Sequence, residues 1–284
     1  MSVSFNRPPA TFSPFEPYTG PVRAVIFDWA GTVLDWGCMA PVAAFQQAFE
    51  ESGVPIGEAE ARAPMGAAKR EHIEKILAQP PVQQRWTTAK GQRSSDEDVS
   101  QLYAAFLRVD ADNCARFATL IPGALPEIEA MRTRGVRIGS TTGYPRVIMD
   151  TLMPLAEAQG YSPDCCVTVD EARGRPWPDM VLANALALGV PDVSACIVVD
   201  DSPTGLTSAR AAGMWAVGVV DSGNEVGLSL EQWQALDTGE QAERRAGAIA
   251  KLLAAGAHET IGTVAELADV VDRIEARLVK GERP

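Results

Sequence analysis

The chain is poor in several features that mark whole classes of protein. It contains no apolar run of the ~18 residues that a membrane-spanning helix needs. Its opening, MSVSFNRPPATFSPFEPYTG, lacks the basic-then-apolar pattern of a secretory signal. Basic residues are in deficit: Lys+Arg number 25 against 37 Asp+Glu, a formal net charge of −12. A duplex nucleic-acid binder normally shows a basic footprint, so no nucleic-acid partner is expected. The five cysteines are odd in number and irregularly spaced, which gives neither a disulfide framework nor a zinc pattern. Cys165 and Cys166 are adjacent, too close for an ordinary bridge. These absences predict a cytoplasmic protein with no membrane partner. Internal repeats are also lacking. What remains is a chain of 284 residues, 46% hydrophobic and 22% charged, which excludes a wholly disordered polypeptide. The length suits one large domain, or a domain carrying a smaller one.

Residues 1–20 hold four prolines and little periodicity, and read as an extended arm. VRAVIF (22–27) reads as a buried strand ending at Asp28. Between 39 and 116 the pattern turns helical, with Val42, Phe45 and Phe49, then Ile73, Ile76 and Leu77, then Leu102, Phe106 and Val109 recurring on stripes. No strand-like run interrupts this segment. From 123 onward strand and helix alternate: helix to Arg134, strand 136–140, helix 145–159, strand 165–169, helix 178–188, strand 195–199, helix 203–212, strand 214–220. Thr263 and Glu266 form a capping-box signal for a last helix ending near Leu278. Such alternation predicts an α/β fold with a doubly wound parallel sheet. Residues 21–38 and 117–284 would form the core, with 39–116 a small all-helical domain inserted after the first strand.

In such sheets the ligand sits beyond the carboxyl ends of the strands. Asp28, Thr141 to Tyr144, Asp170 and Asp200-Asp201 should therefore converge. An Asp directly after a buried strand can serve as a nucleophile, and a later carboxylate can hold Mg²⁺, a hard cation suited to oxygen donors. An aspartate capping a helix is the bland alternative for any one of them. Met65, Lys69 and His72 stand at i, i+4 and i+7, a spacing that puts them on one helical face. Taken alone Lys69 reads as a solvated helix lysine, and His72 as a partly buried structural histidine. Lys90, in the polar stretch TTAKGQRSS, is the competing lysine of the insert.

The motifs resemble those of the haloacid dehalogenase superfamily: FDWAGTVLD (27–35), STTGY (140–144), GRPWPDM (174–180) and VVDDSPTG (198–205), in family order and at strand ends. The resemblance implies Asp28 as nucleophile, with Thr142 and Gly143 on the phosphoryl group. It also implies Arg175 as the basic residue, and Asp28, Asp201 and the carbonyl of Ala30 as ligands of Mg²⁺. Two departures matter. Phosphatases of the superfamily carry an acid two places after the nucleophile, where this chain has Ala30. Related sequences often carry an acidic residue at the place of Gly205, and Asp200 is the candidate to compensate.

PMGAAKREH (64–72), with DWAGT, Gly37-Cys38, TTGY, GRPWP and GMWAVG (213–218), is similar to the phosphonatase family. That resemblance implies a cap over the core, Lys69 forming a Schiff base with an aldehyde, and His72 handling protons beside it. Met65, Cys38 and Tyr144 would line the pocket, and two chains would pair through their caps. The implied reaction is hydrolysis of the P–C bond of phosphonoacetaldehyde. Cleaving that bond requires the carbon to leave with stabilised electrons, and a protonated imine is such a sink. Two rivals stand beside this reading: a phosphatase or mutase acting on a phosphate ester, against which Ala30 argues, and a silent binding module, against which Asp28, Asp201 and Lys69 argue.

Overall fold

The structure, a computed structural model, describes residues 16–284. Of the arm expected over 1–20, residues 1–15 lie outside the described residues. Strand β1 (Ala24–Phe27) is followed by five helices: α1 (Met39–Glu51), α2 (Glu58–Arg62), α3 (Lys69–Ala78), α4 (Pro80–Lys90) and α5 (Asp96–Phe117). Then come α6 (Ala124–Thr133), β2 (Arg137–Thr142), α7 (Arg146–Glu157), β3 (Cys165–Thr168) and α8 (Asp179–Ala187). The chain continues through β4 (Cys196–Asp200), α9 (Pro203–Ala211), β5 (Trp215–Val219), α10 (Leu230–Ala235), α11 (Thr238–Ala254), β6 (Glu259–Ile261) and α12 (Leu267–Leu278). No helix among the described residues is long and apolar enough to cross a membrane.

All six strands pair in parallel, in the order β3-β2-β1-β4-β5-β6. This is the expected doubly wound α/β sheet. Its alternating side chains feed two cores. Val25 and Phe27 of β1 join one, with Ile197, Val199 and the apolar faces of α6, α7 and α12. Ala24 and Ile26 join the other, with Cys196, Val198 and the faces of α8, α9 and α11. Both faces of a parallel sheet are therefore covered, which is why its strands read as continuous apolar runs. Each fully buried Phe, Ile or Leu contributes ~1.5–3 kcal/mol relative to exposure.

The five-helix insert continues the first core. Phe45 of α1 stacks on Phe106 of α5 with ring centroids 4.4 Å apart. Pro80 and Pro81 end α3 and occupy the first turn of α4, where a missing N–H costs nothing. Ser95 opens α5 through a reciprocal capping box with Asp98. Met65, Lys69 and His72 do not share the helical face that their spacing predicts. Met65 lies in the turn between α2 and α3, and α3 begins only at Lys69. Gly66 holds that turn in the left-handed region (φ +88°), so Met65 and Lys69 meet through a turn and not along a helix.

The strand order reverses between β1 and β4, because the chain builds β2 and β3 on one side and returns to build β4 to β6 on the other. Phe27 pairs with Ser140 on one side and Val199 on the other. The next residue of each strand, Asp28, Thr141 and Asp200, thus lies in one row at the crevice that this switch opens.

Candidate active site

Asp28 is fixed by its backbone, whose N–H donates to Val199 O at 2.9 Å and continues the ladder by one residue. Its side chain is almost wholly buried, and Arg175 Nη2 donates to Asp28 Oδ1 at 2.7 Å. The same nitrogen donates to Thr141 Oγ1 at 3.0 Å and lies 2.8 Å from Asp200 Oδ2, an ion-pair contact without hydrogen-bond alignment. Burial works against the Arg175 charge, yet Asp200 and Asp28 hold it firmly protonated.

Asp28, Asp200 and Asp201 bring carboxylate oxygens within 4.8 Å of one another, all buried. Burial first, then the like charges of Asp28 and Asp200, push the Asp201 carboxyl far above its ordinary value. Asp201 Oδ2 accepts the Asn224 N–H at 2.7 Å and the Cys38 thiol at 3.1 Å. The cluster holds three carboxylates against one guanidinium, and its donors are hard oxygens. That charge and donor set fits a small divalent cation.

Gly205 explains how Asp200 fits. A Cβ at 205 would lie 2.0 Å from Asp200 Oδ2, so the Asp200 carboxylate fills the space a side chain there would take. Ser202 holds it in place, donating to Asp200 Oδ1 from N at 2.9 Å and from Oγ at 2.7 Å. Gly205→Ala must therefore displace Asp200. We expect it to cost about 1–3 kcal/mol by overpacking, read as a lower thermal midpoint, and to weaken divalent-ion binding. An unchanged midpoint and ion affinity would show that Asp200 is free to move.

The β1–α1 loop carries unusual backbone. Asp35 and Cys38 are non-glycine residues in the left-handed region, at φ 54° and 53°. The Asp35 carboxylate accepts the N–H groups of Met39 and Ala40 at 2.9 and 3.0 Å, so it caps α1 and stabilises the turn. Gly31 allows the loop to approach the cluster, since a Cβ there would lie 2.4 Å from Asp201 Oδ2.

The insert meets the core over this cluster. A Cβ on Gly66 would lie 2.3 Å from Thr204 Oγ1 at the start of α9, and one on Gly143 would lie 3.0 Å from Ala67 O. Lys69 opens α3 and is 6% exposed. Its Nζ lies 4.6 Å from the Tyr144 ring centre and 5.8 Å from that of Phe45. Burial, helped by Arg175, lowers the Lys69 pKa below the ordinary lysine value, against the opposing pull of Asp110, Cys38 and Asp28.

These groups enclose a small cavity of about 30 Å³. Asp28, Ala30 and Cys38 enter it from the β1 side, and Met65 and Lys69 from the insert. Thr142, Gly143 and Tyr144 follow β2, and Arg175 and Asp201 complete the wall. Sequence reasoning did not name Pro41 and Gly66, which also line it. Larger open grooves of about 340 and 810 Å³ lie elsewhere, one beside Trp86 and Lys90, the other between Arg62 and the Asn224–Leu228 loop. Neither holds the carboxylate cluster, and Lys90, with Nζ 5.6 Å from the Trp86 ring centre, lies apart from it.

Two expected members stand elsewhere. Asp170 accepts the Arg146 N–H at 2.7 Å and so serves the start of α7. His72 is fully buried on α3, its ring tilted against Phe45 with centroids 4.0 Å apart and Nε2 2.7 Å from Ala61 O, and is not part of the cavity wall. Burial and the Lys69 charge lower its pKa to about 3, so the ring is neutral near pH 7.

A doubly wound sheet with a buried carboxylate cluster at its switch point defines a class, and known proteins of similar sequence and structure identify it. A sequence model described as haloacid dehalogenase-like hydrolase matches residues 22–213. A protein of Hahella chejuensis, named phosphonoacetaldehyde hydrolase, is 47% identical over 94% of this chain and 91% of its own length. One of the same name from Klebsiella pneumoniae is 44% identical over 93% of this chain and 99% of its own. The crystal structure of a phosphonoacetaldehyde hydrolase-like protein from Oleispira antarctica superposes with a TM-score of 0.94 at 42% identity, covering 96% of this chain and 100% of that one. The chain thus belongs to the haloacid dehalogenase-like hydrolases and, within them, to the phosphonoacetaldehyde hydrolase family.

Proposed function

We propose that this chain cleaves the P–C bond of phosphonoacetaldehyde, giving acetaldehyde and phosphate, by combining a Lys69 Schiff base with an Asp28 nucleophile. One observation carries the reading. A buried amine, a carboxylate braced by Arg175, and an alanine two places after that carboxylate all face one cavity. The amine comes from the insert and the carboxylate from the core, so the insert acts as a cap.

Neutral Lys69 attacks the aldehyde carbon, and uptake of one proton with loss of water leaves a protonated imine. Asp28 attacks phosphorus; the electrons of the P–C bond pass to carbon, and nitrogen takes up the charge as an enamine forms. Protonation of the enamine carbon and hydrolysis of the imine release acetaldehyde and free Lys69, and water hydrolyses the aspartyl phosphate. No alkoxide departs, so no acid is needed at position 30. Arg175 and the amide and hydroxyl of the Thr142-Gly143 turn orient the phosphonate oxygens. Asp28, Asp201 and the carbonyl of Ala30 would hold Mg²⁺, with Asp200 behind them; the ion supplies charge neutralisation between carboxylates and phosphonate. Met65, Cys38 and Tyr144 form the wall around the lysine. His72 acts by position, tying α3 to the Ala61 carbonyl. The reading includes a homodimer paired through the caps, working in the cytoplasm on phosphonates from 2-aminoethylphosphonate breakdown.

Phosphate release from phosphonoacetaldehyde, set against a panel of phosphate monoesters, tests this directly. Turnover should be confined to the phosphonate, should stop on exhaustive chelation, and should return with added Mg²⁺. Faster release from an ester, or full activity without a divalent ion, overturns the assignment.

A further inference from the structure

Asp110 is fully buried on α5, and among the described residues it is the one buried carboxylate with neither oxygen hydrogen-bonded. It stands one turn after Phe106, on the stripe that packs against α1 and α3. An apolar residue would be the stable choice there, because an unpaired buried carboxylate is costly. Phe106 stacks on Phe45, and Phe45 lies beneath the Lys69 nitrogen. Lys69 likewise has no carboxylate in ion-pair contact, yet Asp110 is the strongest charge acting on it, ahead of Asp28.

The chemistry sets a conflict that this placement resolves. A dry cavity beside Arg175 favours the neutral amine that attacks the aldehyde. The same surroundings strip the proton from the imine that follows, and a neutral imine is a poor electron sink. An anion held behind the nitrogen restores the charge.

Building on the Schiff-base reading above, we propose that Asp110 is the counter-ion of the Lys69 iminium, a positioning residue that acts on the lysine nitrogen and not on the substrate. In the condensation the amine adds to the aldehyde carbon, one of its two protons passes to oxygen, and a second proton taken from solvent lets the hydroxyl leave as water, so that nitrogen keeps one proton opposite the Asp110 carboxylate. When the P–C electrons pass to carbon, nitrogen loses its positive charge and keeps that proton. Asp110 is then again an anion without a partner. Burial, offset in part by Lys69, brings its pKa to about 7, so it can take up a proton once the iminium charge is gone. The other ionisable groups that act with it are Tyr144 after β2, Asp35 before α1 and Cys114 on its own helix. His72 cannot serve, since it is neutral and engaged with Ala61.

The test is Asp110→Asn, with Asp110→Ser as a second variant should the first not fold. Wild-type protein is first treated with acetaldehyde and borohydride, which must label Lys69; failure at this step removes the Schiff-base reading itself. Given that label, the variant should move the alkaline limb of the kcat profile about 1–3 pH units lower, because loss of a nearby anion lowers the iminium pKa. A two-unit move costs roughly 100-fold in the protonated imine on the alkaline side, and assay at lower pH should recover it. Thermal stability should not fall. In the wild type, the native protein keeps the Asp110 proton to about pH 7 while the unfolded chain loses it near 3.8, so stability drops across that window. The variant should lack this drop. Unmoved limbs in a variant whose Lys69 is still labelled would overturn the proposal.

Discussion

Asp28→Asn is expected to leave a folded protein that releases no phosphate, with kcat reduced on the order of 10⁶-fold, the size seen when a nucleophile is taken from a site that works as a unit. The substitution keeps the shape of the side chain, and Oδ1 can still accept from Arg175. A carboxamide, however, cannot form the acyl phosphate. The fold should tolerate the change well. Asp28 is one of three buried carboxylates within 4.8 Å, and removing one charge relieves the pressure on Asp201. The thermal midpoint without divalent ion should therefore hold or rise. Rapid quenching of the wild type during turnover should place a phosphoryl group on the Asp28 peptide, and the variant should show none. A rate within about 100-fold of the wild type, or a phosphorylated Asp28→Asn protein, would remove Asp28 as the nucleophile.

Much of this site was legible because it lies at strand ends, and strand ends follow from periodicity. The runs ending at Phe27 and Asp200 are fully buried and their apolar character is unmistakable, whereas β2, RIGSTT, is buried beyond Arg137 and is read from its place in the alternation; the residues after all three converge by topology alone. The region between Asp221 and Thr263 was not legible, although the capping box at Thr263 and Glu266 did announce α12. β6 has three residues on the edge of the sheet, too few for a period, and α11 buries only Ala248 and Leu252 of its 17 residues. Asn224, whose N–H holds Asp201, was missed there, because it lies in the loop beyond β5 and not at the strand end. In the insert, spacing pointed to Met65, Lys69 and His72 for the wrong reason. A helix face was inferred where Gly66 makes a turn, and the residue that shares α3 with Lys69, His72, points to Ala61. Asp110 left no signal, because a lone Asp in a helix reads as solvated until its burial is known.

Lys69→Arg should keep a cation in the cap yet lose both turnover and borohydride labelling. The outcome depends on which protonation state the site favours. Imine formation needs a free amine, and burial of Lys69, helped by Arg175, moves its pKa down from the ordinary value of 10.5. A lowered pKa means that the unfolded chain binds the proton more tightly than the native one. Stability should thus rise with pH between the folded and the unfolded values, and the fall of activity on the acid side should follow the folded value. A guanidinium cannot yield a neutral nitrogen at ordinary pH, so the variant has no nucleophile for the aldehyde. Loss should be at least about 10⁴-fold in kcat, since the P–C bond then has no electron sink. Lys69→Met separates charge from chemistry. It fills the space beside Tyr144 and Phe45 without burying a charge, and it should be more stable than the wild type and equally inactive. Mass spectrometry of the wild type, reduced in the presence of acetaldehyde, should place the added ethyl group on Lys69. An adduct on Lys90 instead, or retained turnover in Lys69→Arg, would return the chain to phosphate-ester chemistry.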